Sequence, residues 1–423
     1  MSSDRRIEHV TCLGCGCGCD DLTVVVSDGR ITEVTTACPL GKAWFGDGQV
    51  PDEVMSDGKP VGLDLAIERV AEALVAARGR CLVHLGTDLT TQAQRAALSI
   101  ADMVGGTVDS ETSDTAANGL ITAQRRGRAA ATLGEVRNRG DVFVFWGVDP
   151  RERYPRFLSR YSLEPVGTQV PDGRNGRHVI AVSVGADNAL EPADSRVELT
   201  ADQEIAALTL IRAAVLGNPV GVKTNTARAA GVIAEKLMSA RYAVLVHDAE
   251  PTAEARNPLR AEALIALTQA LNGPTRASLV SLRAGGNRVG GETVLTWQTG
   301  YPFAVDFTLG YPRYRPERRG RAGIESGRYQ AVLLLGRLPE NSPTFAALSR
   351  RPMVIGPRAS QAPFPTSIAI DTGVAGIHDG GTAYRMDEIP LALRSCLAGP
   401  RAAADVLQQL SRATHRLLQA RVA

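Results

Sequence analysis

Five of the seven cysteines in this chain fall in one short stretch near its start. Four read Cys12-Leu-Gly-Cys15-Gly-Cys17-Gly-Cys19, and the fifth opens the segment Cys38-Pro-Leu-Gly-Lys. A reducing compartment disfavours disulfides, so a cluster this tight reads as a metal site. The spacing C-x2-C-x3-C, followed by a fourth cysteine beyond an intervening hairpin, nominates Cys12, Cys15, Cys19 and Cys38 as four thiolates for one tetrahedral centre. Thiolates suit an iron–sulfur cluster or zinc, and the spacing does not separate the two. Glycines between the cysteines let the backbone fold tightly. Cys17 is surplus, either a substitute ligand or a free thiol. Cys81, opening the apolar run CLVHLG, and Cys396, in LALRSCLAG, read as structural thiols.

A second group with chemical potential is Arg283-Ala-Gly-Gly-Asn-Arg288-Val-Gly-Gly291. Gly285 and Gly286 permit close backbone approach, and Asn287 and Arg288 supply polar and cationic groups. The stretch has the makings of a loop that cradles phosphate or a pterin. The competing reading is an interface loop kept for its shape. Trp297, Tyr301, Phe303 and Phe307 concentrate aromatics in a chain with only 4% of them. They read as anchors for another subunit or as core packing. His84, His178 and His247 lie on strand-like runs and read as core or strand-end residues. His378 precedes Asp379, but no nucleophile accompanies them. No Ser-His-Asp order, HExxH or Walker motif is present.

These residues need elements to position them. At 423 residues the chain exceeds one ordinary core, so two or three domains are expected. Hydrophobic content of 44%, charged content of 22% and a net charge of +2 describe a globular protein with no pull toward nucleic acid or an anionic membrane. No apolar run reaches the roughly 18 residues that span a bilayer. The N-terminus MSSDRRIEHVTC lacks an apolar signal core, and the protein reads as cytoplasmic. Apolar runs predict strands at 81–85, 141–146, 178–184, 242–247, 277–282, 330–335, 353–355 and 367–370. Their lack of strict alternation suits parallel strands buried on both faces. Helical spacing predicts helices at 63–78, 90–104, 202–216, 224–240 and 261–271, with a terminal amphipathic helix near the C-terminus. LTVVVSDGRITEV predicts a hairpin turning at SDGR. The alternation of strand and helix means an α/β fold. The polar stretch 107–119 reads as a connector between two sheet systems, and 283–323 as a long functional or interface loop.

The cysteine spacing, with strand–helix units behind it, resembles the molybdopterin oxidoreductase superfamily, and more closely the B subunit of formylmethanofuran dehydrogenase. DVFVFWGVDPRERYPRFLSRYS, VLTWQTGYPFAVDFTLGYPRYRP and GTAYRMDEIPL carry the resemblance along the chain. It implies that Cys12, Cys15, Cys19 and Cys38 hold a [4Fe–4S] cluster, with Lys42 near the position between cluster and pterin. It also implies a small cysteine domain (1–55) followed by two Rossmann-like α/β domains. One is discontinuous (56–125 and 250–423) and the other continuous (126–249), without the superfamily's terminal barrel.

The chain departs from that pattern where the family's catalytic metal is held. The corresponding stretch, Ser110–Gly119, contains neither cysteine nor histidine. Asp114 is the residue there with an oxygen suited to molybdenum. VSVGADNA stands where a pterin-nucleotide loop is common, with Asp187 as its acid. Molybdenum or tungsten pterin is therefore not expected. The resemblance then points to the B subunit of a formyltransferase/hydrolase complex, a non-redox protein working with A-, C- and D-type subunits in formaldehyde oxidation. The alternative is a redox-active molybdenum or tungsten formylmethanofuran dehydrogenase.

Overall fold

A computed structural model describes residues 4–218, 221, 224–250, 257–338, 345, 348 and 350–421. It divides into two compact units, one built from 1–114 and 285–423, the other from 115–284. Both are α/β. The chain returns to the first unit at Gly285, not at residue 250 as the resemblance implied. The reason is strand pairing: Ala277–Leu282 joins Ala243–Asp248 in parallel, which keeps it in the second unit's sheet. The N-terminal cysteine segment belongs to the first unit rather than standing apart.

The first unit's main sheet has a parallel centre. In spatial order it runs Thr107–Ser110, Cys81–Leu85, Ala331–Leu335, Met353–Gly356 and Ile368–Asp371. Antiparallel strands extend both edges: Val305–Asp306 and Arg313–Tyr314 on one side, Val54–Ser56 and Lys59–Pro60 on the other. Successive residues of Cys81–Leu85 feed opposite cores. Cys81, Val83 and Leu85 pack with Ala71, Leu74, Ala97 and Leu410 from helices Leu63–Ala76, Thr91–Met103 and Ala403–Ala420. Leu82 packs on the other face with Leu334, Val354 and Phe364. Burial on both faces is why these strands read as unbroken apolar runs. Thr90 caps the helix Thr91–Met103, its hydroxyl accepting from Ala93 N–H at 3.2 Å.

A smaller antiparallel sheet, Arg5–Val10, Leu22–Ser27 and Arg30–Thr35, precedes it. Its second turn falls at Asp28-Gly29, both with positive φ, the hairpin geometry that SDGR predicts.

The second unit's sheet is wholly parallel, in the order Ser195–Leu199, His178–Val184, Val142–Trp146, Ala243–Asp248, Ala277–Leu282. Its switch point lies between Val142–Trp146 and Ala243–Asp248, where the chain order reverses direction. Helices Glu204–Val215, Asn225–Met238 and Arg260–Leu271 cover one face through Leu208, Ile211, Leu237, Leu264 and Leu267.

Two expectations fail. Stretch 107–119 is not a bare connector: Thr107–Ser110 is a buried strand and Ala117–Arg126 a helix. Segment 283–323 is not one loop either, since it contains the helix Arg288–Thr299, the hairpin at the sheet edge and the helix Gly320–Glu325. No helix among the described residues is long and apolar enough to cross a membrane.

Candidate functional site

The cysteine loop leaves strand Arg5–Val10 and closes on itself: Cys12 N–H donates to Cys19 O at 2.8 Å and Gly18 N–H to Cys15 O at 3.3 Å. Gly14 N–H points at Cys12 Sγ at 3.3 Å. Cys38 caps the helix Pro39–Phe45, with proline favouring the first helical position. Cys12, Cys17 and Cys19 are buried, while Cys15 and Cys38 are half-buried. The sulfurs share one neighbourhood. Burial pushes the Cys12 thiol far up, and Cys15, Cys19 and Cys38 push it further. Cys17 is raised as well, first by its hydrogen bond with Cys15 and then by burial. A thiol resists ionising in such a place until a cation balances the thiolate. Among the described residues, however, no group of three or more His, Cys, Asp or Glu side chains is arranged to hold a metal ion. The donors converge in type and neighbourhood, not in ligating geometry.

Two distant segments fasten this loop, and sequence reading missed both joints. Gly286 N–H donates to Leu13 O at 2.8 Å, and Met386 N–H to Gly16 O at 3.0 Å. Gly285 presses against the cysteine loop itself. A Cβ there would meet Leu13 O at 2.1 Å and Cys15 N at 2.7 Å. Gly285 therefore serves close backbone approach, as its sequence context implied, and the backbone it approaches is the cysteine loop's. Asn287, in the left-handed region at φ 59°, is a buried joint. Its amide donates to Leu89 O at 2.8 Å, its Oδ1 accepts from Tyr384 N–H at 2.8 Å, and its carbonyl accepts from Gln94 at 2.9 Å. Arg288 faces Glu111 at 3.6 Å.

The joint sits at the carboxyl end of strand Cys81–Leu85, the switch point of the first unit's sheet. Asp88 gathers it: its N–H donates to Gly286 O at 2.8 Å, and its carboxylate accepts from Trp44 Nε1 at 3.1 Å and pairs with Arg337 at 2.7 Å. Lys42 lies on the exposed side of the helix that Cys38 caps, with its N–H donating to Cys38 O at 2.9 Å. It lines an open groove of about 560 Å³ with residues of strand Arg30–Thr35.

At the end of strand Thr107–Ser110 the segment offers hydroxyl and carboxylate oxygens. Thr112 donates to the buried Glu292 at 2.5 Å, and Ser110 and Thr112 hydroxyls meet at 3.1 Å. Asp109 is fully buried. Burial pushes its carboxyl up to about 6 against four opposing hydrogen bonds, including those from Gly320 N–H at 2.6 Å and Ser113 at 2.9 Å. Asp114 accepts from Arg321 N–H at 2.8 Å and lies where any Gly320 side chain would have to go.

In the second unit, acids at the carboxyl ends of the strands are matched by arginines. Asp187 pairs with Arg260 at 2.8 Å, and Arg260 also bonds Glu204. Asp248 takes Arg153 and the Tyr154 hydroxyl, the latter at 3.2 Å, and Glu250 takes Arg283 at 2.6 Å. The histidines hold structural places. His178 meets Ser195 at 3.2 Å and His247 meets Ser281 at 2.9 Å. Burial drives His84 down to about 4. His378 accepts from Val374 N–H at Nδ1 and faces Gly48 O at 2.8 Å. Phe303 and Phe307 are core residues, while Trp297 is 55% exposed.

No family model matches the chain. It is 31% identical over 413 residues to the B subunit of a tungsten-containing formylmethanofuran dehydrogenase 2 of Methanocaldococcus jannaschii, covering 94% of this chain and 95% of the relative. The corresponding protein of Methanococcus maripaludis is 28% identical, covering 93% and 94%. The B subunit of the formyltransferase/hydrolase complex of Methylorubrum extorquens is 26% identical, over 77% of this chain and 86% of that one. A chain in the crystal structure of that complex with methylofuran shares the fold: TM-score 0.71, 23% identity, 88% of this chain and all of that chain.

Proposed function

The chain belongs to the family of formylmethanofuran dehydrogenase B subunits, and on that premise we propose that it is the non-redox B subunit of a formyltransferase/hydrolase complex. It works with A-, C- and D-type subunits in tetrahydromethanopterin-linked one-carbon metabolism, in the cytoplasm. One observation carries the proposal. Where the family's metal ligand belongs, Ser110–Gly119 presents oxygens already engaged with Glu292, Arg321 and Asp109, and no sulfur or imidazole. A metal held by soft thiolate through a redox cycle does not fit that donor set. The Gly285–Asn287 part of the loop supports the same reading: its space is filled by Leu13 and Cys15, Gly286 N–H and the Asn287 amide donate to Leu13 and Leu89, and Asn287 Oδ1 accepts from Tyr384. The engaged acids Asp187, Asp248 and Glu250 at the second unit's carboxyl edge agree with it.

The alternative, a redox-active molybdenum or tungsten subunit, is favoured by the higher identity to the two tungsten-containing relatives. Elemental analysis and a viologen assay of the co-purified complex decide between them. The expected result is neither molybdenum nor tungsten, and no dye reduction with formate or a formylated furan coenzyme. Stoichiometric metal, lost together with dye activity in Asp114→Ala, makes the alternative correct.

Cys12, Cys15, Cys19 and Cys38 are the residues that would hold a [4Fe–4S] cluster, whose chemistry is one-electron transfer. Their thiol chemistry and shared neighbourhood support this. Iron in anaerobically prepared wild type and its loss in Cys19→Ser are expected. Equally low iron and zinc in both would mean a vestigial site.

A further inference from the structure

A group of charges at the edge of the first unit's sheet plays no part in the proposed function. In the hairpin Val305–Asp306 and Arg313–Tyr314, Asp306 stands directly across from Arg313. Asp306 is fully buried, and three guanidiniums converge on it. Arg313 donates to it at 2.6 Å, Arg318 bonds it and also donates to Thr107 Oγ1 at 3.0 Å, and Arg315 Nε stands 3.7 Å away. Thr308 occupies the same carboxylate through its N–H at 3.2 Å and its hydroxyl at 2.8 and 2.9 Å.

A carboxylate accepts about four hydrogen bonds, and each guanidinium carries about five N–H donors. Asp306 is therefore saturated while the arginines are not. Their other partners are Thr107, Thr308 Oγ1 at 3.1 Å, the Tyr311 ring with its centroid 5.8 Å from the Arg313 guanidinium, and Glu317, which faces Arg315 only at 3.8 Å. Among the described residues, the buried Nε atoms of Arg313, Arg315 and Arg318 have no hydrogen-bond partner. Asp306 and Glu317 are the carboxylates that pair with these three guanidiniums. A guanidinium Nε without a protein acceptor is met by water or by an anion. Access is graded: the side chain of Arg318 is 13% exposed, Arg313 22% and Arg315 38%.

We propose that Arg313, Arg315 and Arg318 form a binding site for a small oxyanion, a carboxylate or a phosphate, with Asp306 fixing the guanidiniums in place. The planar fork of arginine matches both anions bidentately. Arg315 is the entrance, and it holds no hydrogen bond through its side chain to the hairpin, so it is the residue to change. The site stands or falls independently of the subunit assignment.

The test uses the full chain with whatever subunits purify with it. Its melting temperature is followed while potassium phosphate or potassium formate replaces chloride at constant ionic strength. A saturable rise is expected. In Arg315→Gln the affinity falls about tenfold, the loss of one charge-assisted hydrogen bond, while the anion-free melting temperature stays put. Arg315→Lys, which keeps the charge without the fork, falls between the two and serves if the glutamine variant misfolds. A response to phosphate alone or to formate alone names the anion. No saturable rise, or the same affinity in wild type and both variants, overturns the site and leaves the arginines as a clamp on the hairpin.

Discussion

Gly285→Ala is the sharpest test of the joint between the glycine loop and the cysteine loop. The new methyl would stand 2.1 Å from Leu13 O, 2.7 Å from Cys15 N and 2.8 Å from Cys15 Cα, all backbone atoms with no flexible side chain to yield. Overpacking of this kind costs about 1–3 kcal/mol. Pushing the loops apart also lengthens the 2.8 Å bond from Gly286 N–H to Leu13 O, worth about 1 kcal/mol. The sum is about 2–4 kcal/mol. Gly231→Ala is the control of opposite sign. Gly231 lies inside helix Asn225–Met238 with nothing within 4 Å of a built Cβ, so alanine there stabilises by about 1 kcal/mol. Denaturant unfolding, read alongside the alkylation rate of the native cysteines, measures both effects. Gly285→Ala should lose stability and expose Cys12–Cys19 to alkylation, whereas Gly231→Ala should gain stability with unchanged alkylation. If Gly285→Ala unfolds with the wild type and its cysteines react no faster, the close approach is wrong and the loop has room for a ligand.

Two further outcomes follow from named residues. Asp109 has its carboxyl raised by burial to about 6 from an ordinary 3.8, so the folded state binds its proton more tightly than the unfolded state does. A raised carboxyl costs stability above the folded pKa, and that cost is relieved as pH falls through 6 toward 4. Between pH 7 and pH 5 the wild type should therefore gain about 1.4 kcal/mol relative to Asp109→Asn, read from paired denaturation curves, and parallel curves would refute the burial argument. Trp297 is 55% exposed, with the Arg95 guanidinium 5.6 Å from its ring centre. As an interface anchor, Trp297→Ala should weaken subunit association by about 2 kcal/mol without lowering the chain's own melting temperature, and unchanged co-purification of partner subunits would count against it.

The elements legible in the sequence were those whose burial is written locally. Cys81–Leu85 and His178–Val184 are apolar because both sheet faces are covered, and Leu63–Ala76 shows one apolar stripe because one face meets the sheet. Helix Arg288–Thr299 hid because Gly290, Gly291 and its threonines are weak helix formers. What makes it a helix comes from elsewhere: Asn287 locked to Leu89 and Tyr384, and Val294 and Leu295 buried in the first unit's core. Strand Thr107–Ser110 hid for the same reason. Its polar residues look like a connector until Arg318 reaches Thr107 and the N–H groups of Ala304 and Gly320 reach Asp109, all from far along the chain.

The glycine loop poses the harder case, since its physical reading was right and its object was not legible. Glycine without a Cβ permits close approach, and the sequence could not say to what. A phosphate and the carbonyl of Leu13 make the same demand on Gly285. They differ in consequence. A loop shaped for a ligand tolerates alanine in the unliganded protein and loses only affinity, whereas a loop shaped for its own chain loses stability with no ligand present. A Cβ built on Gly285 would stand 2.1 Å from Leu13 O, which places Gly285 in the second class. The proposed oxyanion site puts Arg313, Arg315 and Arg318 in the first class, because three guanidiniums share the single buried carboxylate of Asp306.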